Sequence, residues 1–426
     1  MEEEKNFLIS SYYKLIYELR LKQKTDSDYK LLELFFNTVF YLYSGNTDPL
    51  KMDVRDDKDN IILKILEEFS ILSFYMNMKY KGFVINDRLI LSKIPKINKH
   101  QSINNVQFYL GKLSSDHIIL KKNLSLPQIN PGFVGMNFSL IKEDSKYLGI
   151  IRYTNYSIDL KTGLYHIRGP KIISYLVYIE LDLSFDVIYH KIVNDISGLK
   201  NYDAIAEGLE DPIIFKINNE LWLSCTSLQS NQTSLPQINI CKLNKDKDIC
   251  LRCPIESPLS TPEKNWLPFI SEDCKINFFR CGYGSSQPFS IESVGLPQSS
   301  GYLKTERRLI EYDLDLSRFK GSAGPVQYGE NKYLFMVHES VVKPRETPTY
   351  YYNRFIVTDK TFKIMAMTLP WKFSDLNLEF CRSMILSGEG KLLCTVSIND
   401  NESWVYIISL DYVKENLKDI NFFKLT

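Results

Sequence analysis

The hydrophobic pattern changes its period along the chain. In the first 110 residues, apolar side chains recur three and four positions apart, most clearly over 5–22, 31–42 and 62–78. This spacing is typical of amphipathic helices that pack on one another. The region 74–109 also bears a faint similarity to a tetratricopeptide pair. We therefore predict an α-helical N-terminal domain over 1–115.

From about residue 133 the period becomes two, and one sequence phrase recurs five times. Each phrase is an apolar run, a short polar turn and a second apolar run, as expected for a hairpin of two buried strands. The phrases begin near Phe138, Pro212, Pro268, Pro325 and Ser383. The first interval is 74 residues, and the next three are 56, 57 and 58 residues.

Repeats of this length, each with room for further strands, are typical of β-propeller blades. A β-helix is the rival architecture, but its rungs would be much shorter. We predict a mainly β fold, a five-bladed β-propeller over 130–426 with an insertion in blade one, preceded by the helical domain. The residues that start the phrases should then face a common funnel along the propeller axis.

The composition agrees with this division. Only Gly45, Gly82, Pro49 and Pro95 stand in 1–110, whereas the rest of the chain holds 17 of the 19 glycines and 15 of the 17 prolines. Helix interiors exclude both residue types, and the turns between strands favour them.

The charge balance and the hydropathy exclude several functional classes. Lys and Arg number 52 against 51 Asp and Glu, whereas a general nucleic-acid binder would carry a basic excess. No apolar run approaches the ~18 residues that cross a bilayer, and the acidic start is unlike a secretion signal. We expect a cytoplasmic protein with no membrane span and no nucleic-acid partner.

The eight cysteines all lie in the second part of the chain. Cys250 and Cys253 could begin a zinc site with Cys274 and Cys281, but the gaps of 20 and six residues match no standard module. We expect ordinary reduced thiols, no metal and no cofactor.

Polar residues stand at the starts of the phrases. They are Asn137, Glu210, Asp211, Lys264, Asn265, Ser322 and Arg382. Asp and Arg are rarely buried without a partner, so one interpretation is a set of internal ion pairs that brace the blades. The other is an axial sugar pocket, in which Asn, Asp and Arg bind hydroxyls and aromatic rings contact sugar faces.

Three motifs resemble those of a known family. They are Gly-Leu-Glu-Asp-Pro at 208–212, Lys-Asn-Trp-Leu-Pro-Phe at 264–269, and Gly-Ser-Ala-Gly-Pro at 321–325 followed by His338. In this order, blade by blade, they are similar to the β-mannoside phosphorylases and the related β-1,2-mannosyltransferases. The resemblance implies a five-bladed propeller that transfers a β-mannosyl group with inversion, using phosphate, a sugar phosphate or a nucleotide sugar.

The resemblance also implies roles for individual residues. Asp211 would be the general acid that protonates the leaving glycosidic oxygen. The sugar-binding group would be Asn137, Arg152, Asn155, Glu210 and Asp400. The phosphate-binding group would be Lys264, Asn265, Arg280, His338, Tyr351 and Arg354.

A cationic group suits this reaction class. An inverting hydrolase needs a second carboxylate about 6.5–9.5 Å from the acid to activate water. Phosphate is already a nucleophile, so its reaction needs cations to bind and neutralise it instead.

One residue departs from the family pattern. The family carries Arg after Glu-Asp-Pro, and this chain has Ile213, which has no donor for an anion. Two alternatives therefore stay open: a non-catalytic glycan-binding or scaffolding propeller, and a glycoside hydrolase with Glu210 or Glu263 as base. The expected partners are a glycan and phosphate or a sugar-phosphate donor, with the helical domain as a candidate surface for an acceptor or a protein partner.

Overall fold

The part of the chain that can be described belongs almost entirely to the predicted β domain. The computed structural model describes residues 111–159, 165–256, 262–271, 273–281, 289–310, 316, 319–341, 350–374, 378–388 and 390–420. The helices predicted for the N-terminal domain lie outside the described residues.

The described chain opens with short elements and then forms blade one. The first are β1 (Gly111–Lys112), a 3-10 helix (Ser115–His117) and β2 (Ile118–Asn123). Blade one then contributes β3 (Val134–Lys142), β4 (Tyr147–Thr154), β5 (Tyr156–Ile158), β6 (Tyr165–Ile167), β7 (Ile172–Leu181), β8 (Val187–Ile192) and β9 (Ala206–Glu207). Its main sheet has the order β3-β4-β7-β8, and β5 and β6 form a separate small sheet that lengthens this repeat.

Blades two and three are four-stranded antiparallel sheets whose strand order follows the sequence. Blade two consists of β10 (Glu210–Ile217), β11 (Glu220–Ser227), β12 (Gln237–Leu243) and β13 (Ile249–Pro254). Blade three consists of β14 (Leu267–Ile270), β15 (Ile276–Arg280), β16 (Ser290–Val294) and β17 (Glu306–Leu309).

Blades four and five complete the ring. Blade four contains β18 (Phe319–Gln327), β19 (Lys332–Val341), β20 (Tyr350–Asp359), β21 (Ile364–Thr368) and β22 (Trp371–Lys372). Blade five contains β23 (Glu379–Ser387), β24 (Lys391–Ile398) and β25 (Glu402–Ser409). A final helix, α1 (Leu410–Asn416), leads to β26 (Leu417–Asp419), which pairs with β21 of blade four.

Blade five takes its outer strand from the beginning of the described chain. The strand β2 pairs antiparallel with β25, from Ile118 opposite Ile408 to Asn123 opposite Trp404. The sheet order is therefore β2-β25-β24-β23, and the strand before residue 130 closes the ring. The mainly β, five-bladed propeller that the phrases predicted is confirmed, with this closing strand outside the predicted range of 130–426.

The first strand of each phrase is the innermost strand of its blade. The strands β3, β10, β14, β18 and β23 contact one another in turn around the axis. Apolar side chains fill the spaces between neighbouring blades, as where Phe279 of blade three meets Phe335 of blade four at a centroid distance of 4.4 Å. Each such fully buried side chain stabilises the fold by about 1.5–3 kcal/mol. The packing holds the phrase starts together at the axis.

Candidate functional site

A cavity of about 420 Å³ lies where the innermost strands begin, and every blade contributes to its lining. Of the predicted sugar-binding and acid residues, those that line it are Asn137, Arg152, Glu210, Asp211 and Asp400. Of the predicted phosphate-binding residues, those that line it are Lys264, Asn265, His338 and Tyr351. The sequence phrases therefore bring together residues from positions as distant as 137 and 400.

Irregular backbone directs several of these side chains into the cavity. The pairing register shifts between Met136 and Ser139 in β3 and between Glu210 and Ile213 in β10, which marks a bulge in each strand. Asn137 and Asp211 occupy these bulges with φ of 48° and 49°. Asn and Asp tolerate this left-handed conformation better than most residues, and a bulge turns its side chain away from the regular pleat.

Asp211 is held from three directions. Its Oδ1 accepts hydrogen bonds from Asn137 Nδ2 at 2.8 Å and from Arg152 Nη1 at 3.2 Å. Arg382 Nε donates to its backbone carbonyl at 3.0 Å. Burial alone would raise the pKa of this carboxyl, but Arg152, Lys264 and Arg382 hold the pKa below its usual value. Asp211 is therefore ionised at neutral pH.

Arg152 joins the carboxylates of blade two. Its Nη2 lies 3.2 Å from Glu210 Oε1, and its Nε donates to Ser174 Oγ at 2.9 Å. Burial opposes its charge, but Glu210, Tyr156 and Asp211 raise the pKa of the guanidinium further above its already high value. Arg152 is thus a permanent buried cation that fixes the positions of Glu210 and Asp211.

A further carboxyl, Asp400, comes from the loop after β24. The Tyr156 hydroxyl donates to Asp400 Oδ2 at 3.0 Å. Burial raises the pKa of Asp400 to about 6, an effect that Arg152 opposes and Asp211 reinforces. We call Glu210, Asp211 and Asp400 the acidic side of the cavity.

The opposite lining carries cations and an imidazole. Lys264 lies 3.4 Å from Glu210 Oε2, and Lys320 lines the cavity near it. His338 Nδ1 lies 2.8 Å from Ser322 Oγ, and its ring stacks on Tyr351 at 4.5 Å. Burial, with the charges of Lys320 and Arg382, lowers the pKa of His338 to about 3, so the ring is neutral. We call Lys264, Lys320 and His338 the basic side.

Buried polar atoms without a hydrogen-bond partner occur at this cavity. Within the described ranges they include Asn137 Oδ1, Asn265 Oδ1 and His338 Nε2. An unsatisfied buried polar atom costs about 1–3 kcal/mol. Two acceptors and a ring nitrogen around one cavity are therefore suited to a ligand that presents several hydroxyl or oxygen groups.

Three predicted site residues lie elsewhere. The Arg280 guanidinium forms two bonds to the Glu263 carboxylate, at 2.9 and 2.7 Å, and both side chains are buried. Arg354 likewise pairs with Glu339 and donates to Thr368 O at 3.0 Å. These arginines correspond to the interpretation of internal ion pairs that brace the blades, rather than to a cavity-lining phosphate group.

Asn155 also has a structural position. Its Nδ2 donates to Arg168 O and Lys171 O, both at 2.9 Å, and its Oδ1 accepts from Ile173 N at 2.8 Å. It therefore fixes the chain around β5, β6 and β7 instead of lining the cavity. Ile213, which replaces the family's Arg, packs in the apolar cluster of blades three and four with Leu267.

Sequence reasoning missed several cavity residues. Lys320 stands immediately before the Gly-Ser-Ala-Gly-Pro motif, and Arg382 stood among the phrase starts without an assigned role. Tyr156 and Tyr165 form an edge-to-face pair at 5.0 Å and line the cavity from the small sheet of blade one. Their signal was the run of tyrosines after β4, since aromatic rings commonly contact sugar faces.

The described residues contain no cluster of three or more His, Cys, Asp or Glu side chains that could hold a metal ion. The eight cysteines are free thiols in this structure. In the part of the chain that the structure covers, no helix combines the length and the apolar character needed to cross a membrane.

No protein-family profile and no curated protein sequence matches this chain. Several solved structures share its fold. They include β-1,2-mannobiose phosphorylase from Listeria innocua (TM-score 0.47, 12% identity, 70% of this chain and 96% of that one). MPT-4, a mannose phosphorylase from Leishmania mexicana, has a TM-score of 0.46 and 14% identity over 72% of this chain and 93% of its own.

A third is MPT-1, a GDP-Man-dependent mannosyltransferase from Leishmania mexicana (TM-score 0.45, 13% identity, 68% of this chain and 89% of that one). These neighbours include the kinds of enzyme that the sequence motifs resemble. At such identities, the activity of this chain has to be argued from its own cavity.

Proposed function

We propose that the chain is an inverting glycosyl-transfer enzyme. It exchanges a β-linked glycoside, with mannose as the sugar that the motifs favour, against phosphate or a sugar-phosphate donor. The observation that carries this proposal is the division of the axial cavity into an acidic side and a basic side. The acidic side supplies a carboxyl for proton transfer, and the basic side supplies cations for an anion.

Asp211 is the proposed proton-transfer group. It lines the cavity, and the bonds from Asn137 and Arg152 fix its Oδ1 while Arg382 fixes its backbone. A catalytic group needs such fixed geometry, because small misplacement costs a large part of the rate.

The reaction balances without a second carboxylate. In phosphorolysis, a phosphate oxygen attacks the anomeric carbon from the face opposite the glycosidic oxygen. The bond from that carbon to the glycosidic oxygen breaks, and Asp211 gives its proton to the leaving oxygen. In the transfer direction the same carboxylate accepts the proton of the acceptor hydroxyl while the phosphate group leaves.

The charge state of Asp211 couples the two sides. The free protein holds Asp211 ionised, which is the form that accepts a proton in the transfer direction. A phosphate anion on the basic side would offset the field of Lys264 and so raise the pKa of Asp211. Binding of phosphate therefore favours the protonated form that phosphorolysis requires.

Glycoside hydrolysis is a second candidate function. Asp211 and Asp400 line one cavity, and their pKa values are moved in opposite directions. Such a divided pair is the usual arrangement of a base and an acid. Glu263, the other predicted base, is held by Arg280 and Trp266 instead and does not line the cavity.

The test is an assay of wild type and Asp211→Asn with two substrate sets. One set is a β-mannoside with and without phosphate; the other is mannose 1-phosphate or GDP-mannose with sugar acceptors. We expect phosphate-dependent cleavage or acceptor elongation by the wild type, lost in Asp211→Asn with folding intact. Release of free sugar without phosphate would favour hydrolysis. Sugar binding without turnover in both proteins would indicate a glycan-binding propeller and would overturn the proposal.

A further inference from the structure

A close backbone approach brings two lysines together. A Cβ on Gly321 would lie only 2.1 Å from the carbonyl oxygen of Asn265, so this contact of blades three and four requires glycine. Lys264 and Lys320 are the residues immediately before Asn265 and Gly321. The contact therefore places both lysines at one part of the ring, and both line the cavity.

Strand register adds the imidazole to this group. Lys320 in β18 lies directly opposite His338 in β19. Directly opposed residues of an antiparallel pair project from the same face of the sheet. Lys320 and His338 therefore present neighbouring side chains to the cavity.

The electrostatics show that the two ammonium groups affect each other. Burial and the charge of Lys264 lower the pKa of Lys320. Lys264 has Glu210 as a partner at 3.4 Å, but that carboxylate also binds Arg152 at 3.2 Å. Two like charges that share a cavity repel one another, and an anion between them removes that repulsion.

We propose that Lys320 acts with Lys264 as a two-lysine site for a phosphate dianion, with the His338 ring as its neutral hydrogen-bonding neighbour. The dianion is orthophosphate or the phosphoryl group of a sugar phosphate. This inference rests on the proposed function, and it adds a residue that lies outside the motifs. It also gives the anion site a position, because Arg280 and Arg354 are engaged by Glu263 and Glu339.

The experiment is calorimetric titration of the full chain with orthophosphate, mannose 1-phosphate, GDP-mannose and an uncharged methyl β-mannoside. The variants are Lys320→Gln, which removes the charge, and Lys320→Arg, which keeps it. The control is Lys216→Gln, because Lys216 lies in β10, pairs with Glu143 at 2.6 Å and does not line the cavity. Lys320→Met replaces the Gln variant if the latter loses the wild-type unfolding transition.

We expect Lys320→Gln to weaken binding of the anion about ten- to hundredfold, the usual effect of losing a charge-assisted hydrogen bond. Lys320→Arg and Lys216→Gln should bind within a few-fold of wild type, and all proteins should bind the uncharged glycoside equally. Orthophosphate affected by the variant identifies free phosphate as the source. An effect on mannose 1-phosphate or GDP-mannose alone identifies the phosphoryl group of a donor.

Two results would overturn the inference in different ways. If wild type and Lys320→Gln bind all the anions equally, Lys320 is not part of the site while the proposed function stands. If the wild type binds the glycoside and none of the anions, both the two-lysine site and phosphate-dependent transfer are wrong.

Discussion

Replacement of Arg152 by Met tests the electrostatics of the acidic side. The Arg152 side chain is 5% exposed, and its partners Glu210 and Asp211 are 8% and 12% exposed, each with an ion-pair distance of 3.2 Å. Methionine keeps most of the length and removes the charge. The variant therefore leaves two neighbouring carboxylates buried without their common cation.

The loss of stability follows from that unpaired charge. Removing one partner of a buried ion pair costs about 3–5 kcal/mol. In the wild type the pKa of Asp211 is held below its ordinary 3.8, so this carboxylate stabilises the fold above about pH 4, and that stabilisation is lost as the pH falls further. Without Arg152, burial dominates and raises the pKa. The difference between the two proteins should be largest at pH 7 and shrink towards pH 4.

Urea unfolding followed by tryptophan fluorescence measures this difference. All four tryptophans, at positions 222, 266, 371 and 404, lie in the propeller, so the signal reports that domain. Arg168→Met is the control, because Arg168 is exposed and donates only to Gly132 O in the described structure; its effect should stay within about 0.5 kcal/mol. A loss in Arg152→Met that is equal at pH 4 and pH 7 would show that packing, not charge, explains it and would refute the reasoning.

Three further predictions concern single residues of the cavity and its surroundings. Asp211→Asn should lower kcat about 10²–10⁴-fold while glycan affinity is retained, which steady-state kinetics and titration can separate. Asp400→Asn should be more stable than wild type above pH 6, with the gain disappearing towards pH 4, because the raised folded pKa of about 6 makes the ionised form unfavourable; unfolding over that pH range checks it. Ile213→Arg should destabilise the propeller by several kcal/mol, since the side chain is buried among apolar groups, and denaturant titration with Ile213→Val as the mild control would measure it.

The blades could be predicted because their pattern is local. Each hairpin repeats the same alternation, and the constant interval between Pro212, Pro268 and Pro325 gives their number. The closing strand Ile118–Asn123 could not be found in this way, because it stands outside the repeated phrase and pairs with a strand almost 300 positions away.

The cavity could be predicted in part for the same reason. Asn137 and Asp211 stand at phrase starts, so the fold alone brings them to the axis. The partner of Arg280 is Glu263, and no local pattern shows that this carboxylate faces the arginine rather than an anion. Lys320 was overlooked because its position depends on the approach of Gly321 to Asn265, which is a contact between blades.

The most direct test of phosphate-dependent inverting transfer is a phosphorus and proton NMR time course of β-1,2-mannobiose with orthophosphate. The account predicts α-mannose 1-phosphate in amounts equal to the disaccharide consumed, with no product in Asp211→Asn. Free mannose that forms at the same rate with and without phosphate would contradict it.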